Sequence, residues 1–300
     1  MMSSSRTMGL VMAGLVLVLG ASTAWASSPN DPQLTNFLDF EVDEIDDRGR
    51  VWGTVEQDVE GFDEFSSHFG QLIAPRIIAP SETLGQAGFA IKTMGSLSYI
   101  PQDSALREGV SGQPASMLFS SHLQVRKGLP FSLEMAGNLS HIDSSSLFVM
   151  GADLRWALHE GYAYFPDVAA RVSANTLTGA PELVMFNVAW DLSVSKSIGI
   201  AGVMSLTPYV GYQQLHTFSS SRKLNAYPHD PRPPQNLTTD DGRLRFAPEA
   251  VFSHRRDNYR QMAHRMFVGT RLNVWIVSLT LEGVYSDPVH QLTIAGGVDF

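Results

Sequence analysis

From residue 84 to the C-terminus, apolar side chains recur at every second position, in ten segments of about ten residues or more. They cover 84–100, 116–126, 131–141, 147–158, 167–177, 182–195, 199–216, 264–274, 277–286 and 290–300. A period of two sets successive side chains on opposite faces of a strand. In the sixth segment Val184, Phe186, Val188, Trp190, Leu192 and Val194 share one face; Met185, Asn187, Ala189, Asp191 and Ser193 share the other. Such alternation fits a soluble barrel or sandwich with its apolar face inward, or a membrane barrel with that face outward. Length favours the second, since membrane strands need roughly 9–11 residues and soluble strands usually run about 5–6. The polar faces agree. They are rich in Gly, Ala, Ser and Asn, where a water-facing exterior would carry more Lys and Glu.

Connection lengths give an independent check. If the chain enters from the periplasm, the connections after odd-numbered segments lie outside the cell. The longest, 217–263, follows segment seven, and the next, 101–115, follows segment one. The short turns at Lys127-Gly128, Ser195-Lys196-Ser197 and Trp275-Ile276 follow even-numbered segments. Outer-membrane barrels have this asymmetry and an even strand count. The expected fold is therefore all-β: a transmembrane antiparallel up-and-down β-barrel of about ten strands, with a small N-terminal acidic extension.

Residues 1–26 read as a secretory signal peptide. Arg6 precedes an apolar run from Met8 to Ala21, and Ala24-Trp25-Ala26 is an A-x-A cleavage site. No cysteine is present, which excludes a lipoprotein anchor, a disulfide framework and a thiolate metal site. The chain carries a net charge of −9 without a basic stripe, so no nucleic-acid partner is expected. The charge is uneven. Residues 27–64 hold twelve acids and two bases, and 65–300 is neutral. The expected domains are thus 1–26, a signal peptide; 27–80, an acidic periplasmic segment; and 81–300, the barrel. Phe37 to Val55 suits a hairpin around Asp47-Arg48-Gly49. Phe62, Phe65, Phe69, Leu72 and Ile73 fall at helical spacing, and Pro75 and Pro80 end that helix. Asp43, Glu44, Asp46 and Asp47 lack the spacing of a calcium loop.

The C-terminus, with Phe300 last and Val298, Gly296, Ile294 and Leu292 at alternate positions before it, resembles the terminal signature of bacterial outer-membrane β-barrel proteins. The resemblance implies insertion in the bacterial outer membrane. It also implies that Phe300, Val298, Ile294 and Leu292 form an assembly signal read by the barrel assembly machinery. It transfers no activity, because that architecture serves many functions.

With the polar face inward, the lumen receives Lys92, Arg126, Arg155, Arg171 and Arg271 against Glu134, Asp153, Asp191, Glu282 and Asp299. About eight strands enclose a lumen just filled by side chains, and open channels come at about 16–18. Paired charges in a narrow lumen point to a mostly occluded barrel with a structural or surface-contact role. The alternative is a narrow, porin-like channel for small solutes lined by the same charges. An outer-membrane hydrolase of the omptin type needs two facing pairs of acid and His. His141 with Asp143 and Asp287 with His290 do not match that pattern residue by residue, so no catalytic residue is assigned. His216, His229, His254, His264 and His290 lack tight ligand spacing, so no metal or cofactor is expected. The 217–263 connection is net +3 and suits contact with lipopolysaccharide, beside membrane lipids as the barrel's general partners. Tyr99, Trp156, Trp190, Tyr212, Trp275 and Tyr285 are expected as interfacial aromatics on the lipid face.

Overall fold

The computed structural model describes residues 28–45, 51–112, 116–162, 164–200, 202–222, 224–225, 249–250, 252 and 262–300. The expected signal peptide, Asp46, Asp47, His229, His254 and most of the 217–263 connection lie outside these residues. A single 3-10 turn, Leu34–Phe37, leads into a hairpin of β1 (Leu38–Ile45) and β2 (Val51–Gln57). Helix α1, Val59–Leu72, follows. Its N-cap is Asp58, whose carboxylate accepts from the Gly61 N–H at 2.8 Å. Phe62, Phe65, Phe69 and Leu72 recur on one stripe and are buried.

The remaining strands are β3 (Phe89–Tyr99), β4 (Met117–Leu129), β5 (Leu133–Ile142), β6 (Phe148–His159), β7 (Asp167–Thr178), β8 (Leu183–Ser195), β9 (Ile198–Ile200) and β10 (Met204–Ser221). After them come β11 (Leu224–Asn225), β12 (Glu249–Ala250), β13 (Met262–Val274), β14 (Val277–Ser286) and β15 (His290–Asp299). Ten of them pair antiparallel in the order β13-β14-β15-β3-β4-β5-β6-β7-β8-β10, and β10 pairs back onto β13 to close the ring. The all-β, ten-stranded antiparallel barrel expected from the alternation is thus present. β9 is only a short flap on the foot of β10, Met204 opposite Ile200. The seventh barrel strand therefore starts at Met204 rather than 199, because Gly202 turns the chain with φ +74°.

Alternation sorts the side chains inside out relative to a soluble protein. Along β8 every second residue from Leu183 to Ser195 is buried, while Val184, Phe186, Trp190, Leu192 and Val194 are exposed on the outer wall. The lumen holds Lys92, Arg126, Glu134, Arg171, Arg265 and Glu282, each at most 2% exposed. Tyr99, Trp156, Trp275 and Tyr285 face outward, as do Trp190 and Tyr212, which lie mid-strand with ring centroids 5.9 Å apart.

The two mouths differ. One carries the connections 100–116, 143–147, 179–182, 222–261 and 287–289. The other carries 130–132, 160–166, 196–203 and 275–276, together with the start of β3 and Phe300. There the Phe300 N–H donates to the Phe89 carbonyl at 2.7 Å and the Phe89 N–H returns to Phe300 at 3.0 Å.

Candidate functional site

α1 sits in the long-loop mouth, yet β3 begins at the short-turn mouth. The chain between them has one route, down the inside of the barrel. Residues 73–81 are all buried, and their polar contacts descend the wall in order. The Ile73 carbonyl accepts from Asn175 Nδ2 at 2.6 Å, near the top of β7. The Arg76 carbonyl accepts from Arg171 Nη1 at 2.7 Å. The Ile78 N–H donates to Glu282 Oε2 at 2.9 Å, and the Pro80 carbonyl accepts from Arg155 Nη1 at 3.0 Å. The Ser81 N–H donates to Ser195 Oγ at 2.9 Å, at the foot of β8. The Thr83 N–H donates to Glu160 at 2.8 Å and the Leu84 N–H to Glu134 at 3.2 Å. An extended segment has no internal hydrogen bonds, so luminal side chains supply the partners that its buried peptide groups require.

The apolar side chains of this inner segment are matched as closely. Ala74 packs with Ala189, Leu215 and Ala263; Ile77 with Tyr209, Phe267 and Val284; Ile78 with Met94 and Ala295. Ile78 has φ 26°, a conformation that a β-branched residue adopts at a cost of about 1–3 kcal/mol. Its amide is fixed by Glu282. A cavity of about 20 Å³ remains beside Arg76 and His122, room for about one water.

Where the inner segment leaves α1, the wall caps the helix. A helix ends with four carbonyls lacking intrahelical donors. Here the Gly70 carbonyl accepts from Asn187 Nδ2 at 3.0 Å. Those of Gln71 and Leu72 accept from Gln291 Nε2 at 3.2 and 3.3 Å. Leu72 also receives Arg76 Nη2 at 3.1 Å, and Ile73 receives Asn175. Arg76 and Arg265 both donate to Gln291 Oε1. Among the described residues neither has a carboxylate within ion-pair distance. Arg76 instead reaches the Leu72 carbonyl at the negative end of the helix dipole, where a cation is favourable, and Arg265 joins it through Gln291.

Of the charged residues expected in the lumen, all but Asp299 are buried there. Arg126 Nε donates to Glu134 at 2.8 Å, and Arg155 stands 3.7 Å from the same carboxylate. Arg171 pairs with Asp191 at 2.8 Å and approaches Asp153 at 4.0 Å. Glu282 accepts from the Tyr209 hydroxyl at 2.8 Å. Arg271 is paired with Glu82, which belongs to the inner segment rather than the wall. Lys92 is 1% exposed, and its Nζ has no hydrogen-bond partner among the described residues. Asp299 is half-buried at the short-turn rim, 3.5 Å from Ser278 Oγ. Leu292 and Ile294 lie on the outer face; Val298 is half-buried and Phe300 exposed.

The sequence reading missed Arg76, Glu82, Arg265 and the amides Asn175, Asn187 and Gln291. Arg265 shares the parity of Arg271 on β13, and Gln291 that of Thr293 on β15, so both were visible as luminal positions. His141 Nδ1 is 3.1 Å from the Leu147 carbonyl, and His290 stacks on Tyr285 at 4.9 Å. Neither meets Asp143 or Asp287 in a hydrogen bond or ion pair among the described residues. His264 is hydrogen-bonded to the Tyr212 hydroxyl. No group of three metal-ligating side chains occurs among the described residues.

The segment before α1 closes the mouth. The Asp31 carboxylate accepts from the Ser146 N–H at 2.7 Å and from the Ser28 N–H at 3.0 Å. The Leu34 N–H donates to Glu182 at 2.7 Å, and Asn36 Nδ2 donates to the Glu108 carbonyl at 2.6 Å. Burial raises the Glu182 carboxyl above its ordinary range, against the pull of the Leu34 and Thr35 amides. Phe37, Phe62, Phe65 and Phe69 join Leu106, Val110, Leu147, Leu183 and Phe252 in one apolar cluster. The described residues 28–38 and 59–80 are therefore not separate from the barrel. Two expectations, long connections outside the cell and this segment in the periplasm, cannot both hold, because the segment docks on the long connections.

No family model matches this chain, and no curated protein matches it. Among solved structures, similar folds include the KdgM porin in complex with disordered oligogalacturonate, at 5% identity and a TM-score of 0.33 over 70% of this chain and 99% of that one. The COG4313 outer membrane channel from Pseudomonas putida F1 matches at 9% identity and 0.34, over 75% and 100%. The transport unit of the autotransporter AIDA-I from Escherichia coli matches at 8% and 0.35, over 79% and 97%. All three are bacterial outer-membrane barrels. At such identities no residue role passes from them to this chain.

Proposed function

We propose that this chain is an integral bacterial outer-membrane barrel, without catalytic activity, whose lumen is closed by its own inner segment and whose outer face makes contacts. The membrane reading is supported by the inside-out sorting of side chains. Strands of ten residues or more rise roughly 33 Å or more, which at a tilt of about 45° advances at least about 23 Å, close to the apolar band of about 25 Å. Lipids cover Phe186, Leu192, Met266, Val268 and Ile294 on that wall. The closing aromatic Phe300 is the feature that the assembly machinery reads. Lipopolysaccharide contact by the basic 217–263 connection is part of the same proposal, although most of that connection lies outside the described residues.

One observation carries the closed reading: the last carbonyls of α1 and the peptide groups below them are held by luminal side chains at successive depths. A water-filled solute path would leave those side chains to water. The purified full-length barrel should be silent in a planar bilayer. Stable single-channel steps whose ion preference changes with Arg155→Glu or Asp191→Lys would replace this proposal with the narrow-channel alternative.

A further inference from the structure

The direction in which the inner segment runs assigns a side of the membrane to everything before it. The segment enters β3 at the mouth that holds the short turns and Phe300, and it joins α1 at the mouth that holds the long connections. Outer-membrane barrels keep short turns in the periplasm and long loops outside. We propose that the chain crosses the outer membrane once through its own lumen, so that residues 28–72 are displayed on the cell surface and the barrel serves as their carrier. This rests on the membrane-barrel reading above and replaces the periplasmic position expected from the sequence.

Three features of the molecule support a permanent crossing. The lumen wall carries donors for the end of α1 and acceptors for the amides below it, spaced along the full depth of β7, β8, β14 and the foot of β6. The helix approaches the wall so closely that only a glycine fits: a Cβ on Gly70 would stand 2.2 Å from Thr217 Oγ1. Gly109, in the connection after β3, has no room for a Cβ either, because Phe65 would lie 2.3 Å from it. The displayed unit is thus fitted both to the lumen and to the outer connections. Phe37, Leu38 and the helix share a core with Leu106, Val110 and Phe252, which belong to connections of the same mouth.

Display changes the charge of the outer face. Residues 27–64 carry −10, against +3 on the 217–263 connection that joins the barrel at that mouth. The outer face is then anionic on balance, and contact with a polyanion such as lipopolysaccharide is confined to the basic 217–263 connection.

The absence of native cysteine gives a direct test. Single cysteines replace exposed residues in the full-length chain: Gln57→Cys at the end of β2, Gln102→Cys in the connection after β3, and Gln86→Cys at the short-turn mouth. Cells are treated with a membrane-impermeant maleimide before and after the outer membrane is permeabilised. Gln57→Cys and Gln102→Cys should be labelled in intact cells, and Gln86→Cys only after permeabilisation. Labelling of Gln102→Cys but not Gln57→Cys in intact cells would overturn display and leave the membrane barrel standing. Labelling of Gln86→Cys alone would overturn it by inverting the barrel. Equal labelling of all three without permeabilisation, or of none, would remove the outer-membrane reading and display with it.

Discussion

Gly70 of α1 lies close against Thr217 of β10, and that approach makes a quantitative prediction. A Cβ on Gly70 would lie 2.2 Å from Thr217 Oγ1, 2.6 Å from Cγ2 and 2.9 Å from Cβ. All three atoms belong to the threonine side chain, so the clash is removable from the strand side. Gly70→Ala gains up to about 1 kcal/mol of helix propensity, less in the last turn, and meets overpacking of about 1–3 kcal/mol. The single change should loosen α1 by up to about 2 kcal/mol. In a Thr217→Gly background the obstacle is gone, and Gly70→Ala should be neutral or stabilising. Hydrogen exchange of the α1 amides in the detergent-solubilised barrel reports the opening free energy of the docked helix. The double-mutant cycle should give a coupling of about 1–3 kcal/mol. A coupling under about 0.5 kcal/mol, the additive limit, would refute the close approach and with it the seating of α1 in the mouth.

Three further outcomes follow from the same geometry. Val188→Arg places a charge on the outer wall and should cost roughly 2–4 kcal/mol near mid-membrane, seen as loss of the heat-modifiable folded band on gels. Arg171→Ala leaves Asp191 and Asp153 without their buried cation and frees the Arg76 carbonyl, so it should cost about 3–5 kcal/mol by denaturant unfolding. His68 lies on α1 with Nδ1 2.9 Å from Ser104 Oγ, and burial lowers its pKa against the opposing pull of Glu64, Asp287 and Asp103. Burial of the docked ring disfavours its charged form, so its contribution is complete above the free value of about 6.5 and declines as pH falls below it. Exchange of the α1 amides should therefore quicken on acidification, and His68→Gln should flatten that dependence.

What could be read in the chain before folding follows from how each part meets its surroundings. The wall strands divide lipid from lumen, so Val184 to Val194 alternate without a break, and the charged residues of the lumen fall out by parity. The inner segment has no such division. Ile73 to Thr83 meets the wall on all sides, so Ala74, Ile77 and Ile78 find apolar patches while Arg76, Ser81 and Glu82 find polar ones, in no period at all. Pro75 and Pro80 announce only that the helix has stopped. Parity also misled the charge count. Glu82 and Arg76 come from the inner segment, and Arg265 was passed over, so the lumen looked balanced when its surplus of cations meets a helix end instead. For the same reason the alternation from 84 runs ahead of the first barrel strand, which begins at Phe89: Leu84 to Gly88 belongs to the lumen and to the turn at Gly85, φ +73°.

Strand number ties these observations together. About eight strands leave a lumen that side chains fill by themselves, and about 16–18 leave a channel. Ten strands leave a space between those limits. With short luminal residues such as Ser173, Ala189, Ser193 and Ala295, it takes the one extended chain that fills it. α1 stops at Leu72, in the mouth, ahead of Pro75. Below it the chain is extended, its peptide groups are answered from the wall, and prolines are tolerated because no ladder is formed. The same filling means that the charged side chains of the lumen have two tasks at once: Arg171 holds both Asp191 and the Arg76 carbonyl, and Glu134 holds both Arg126 and the Leu84 amide. A substitution there loosens wall and inner segment together, whereas one on α1 loosens the inner segment alone. Folded-band stability should therefore fall with Arg171→Ala and stay near the parent value with Gly70→Ala, while helix exchange rises in both.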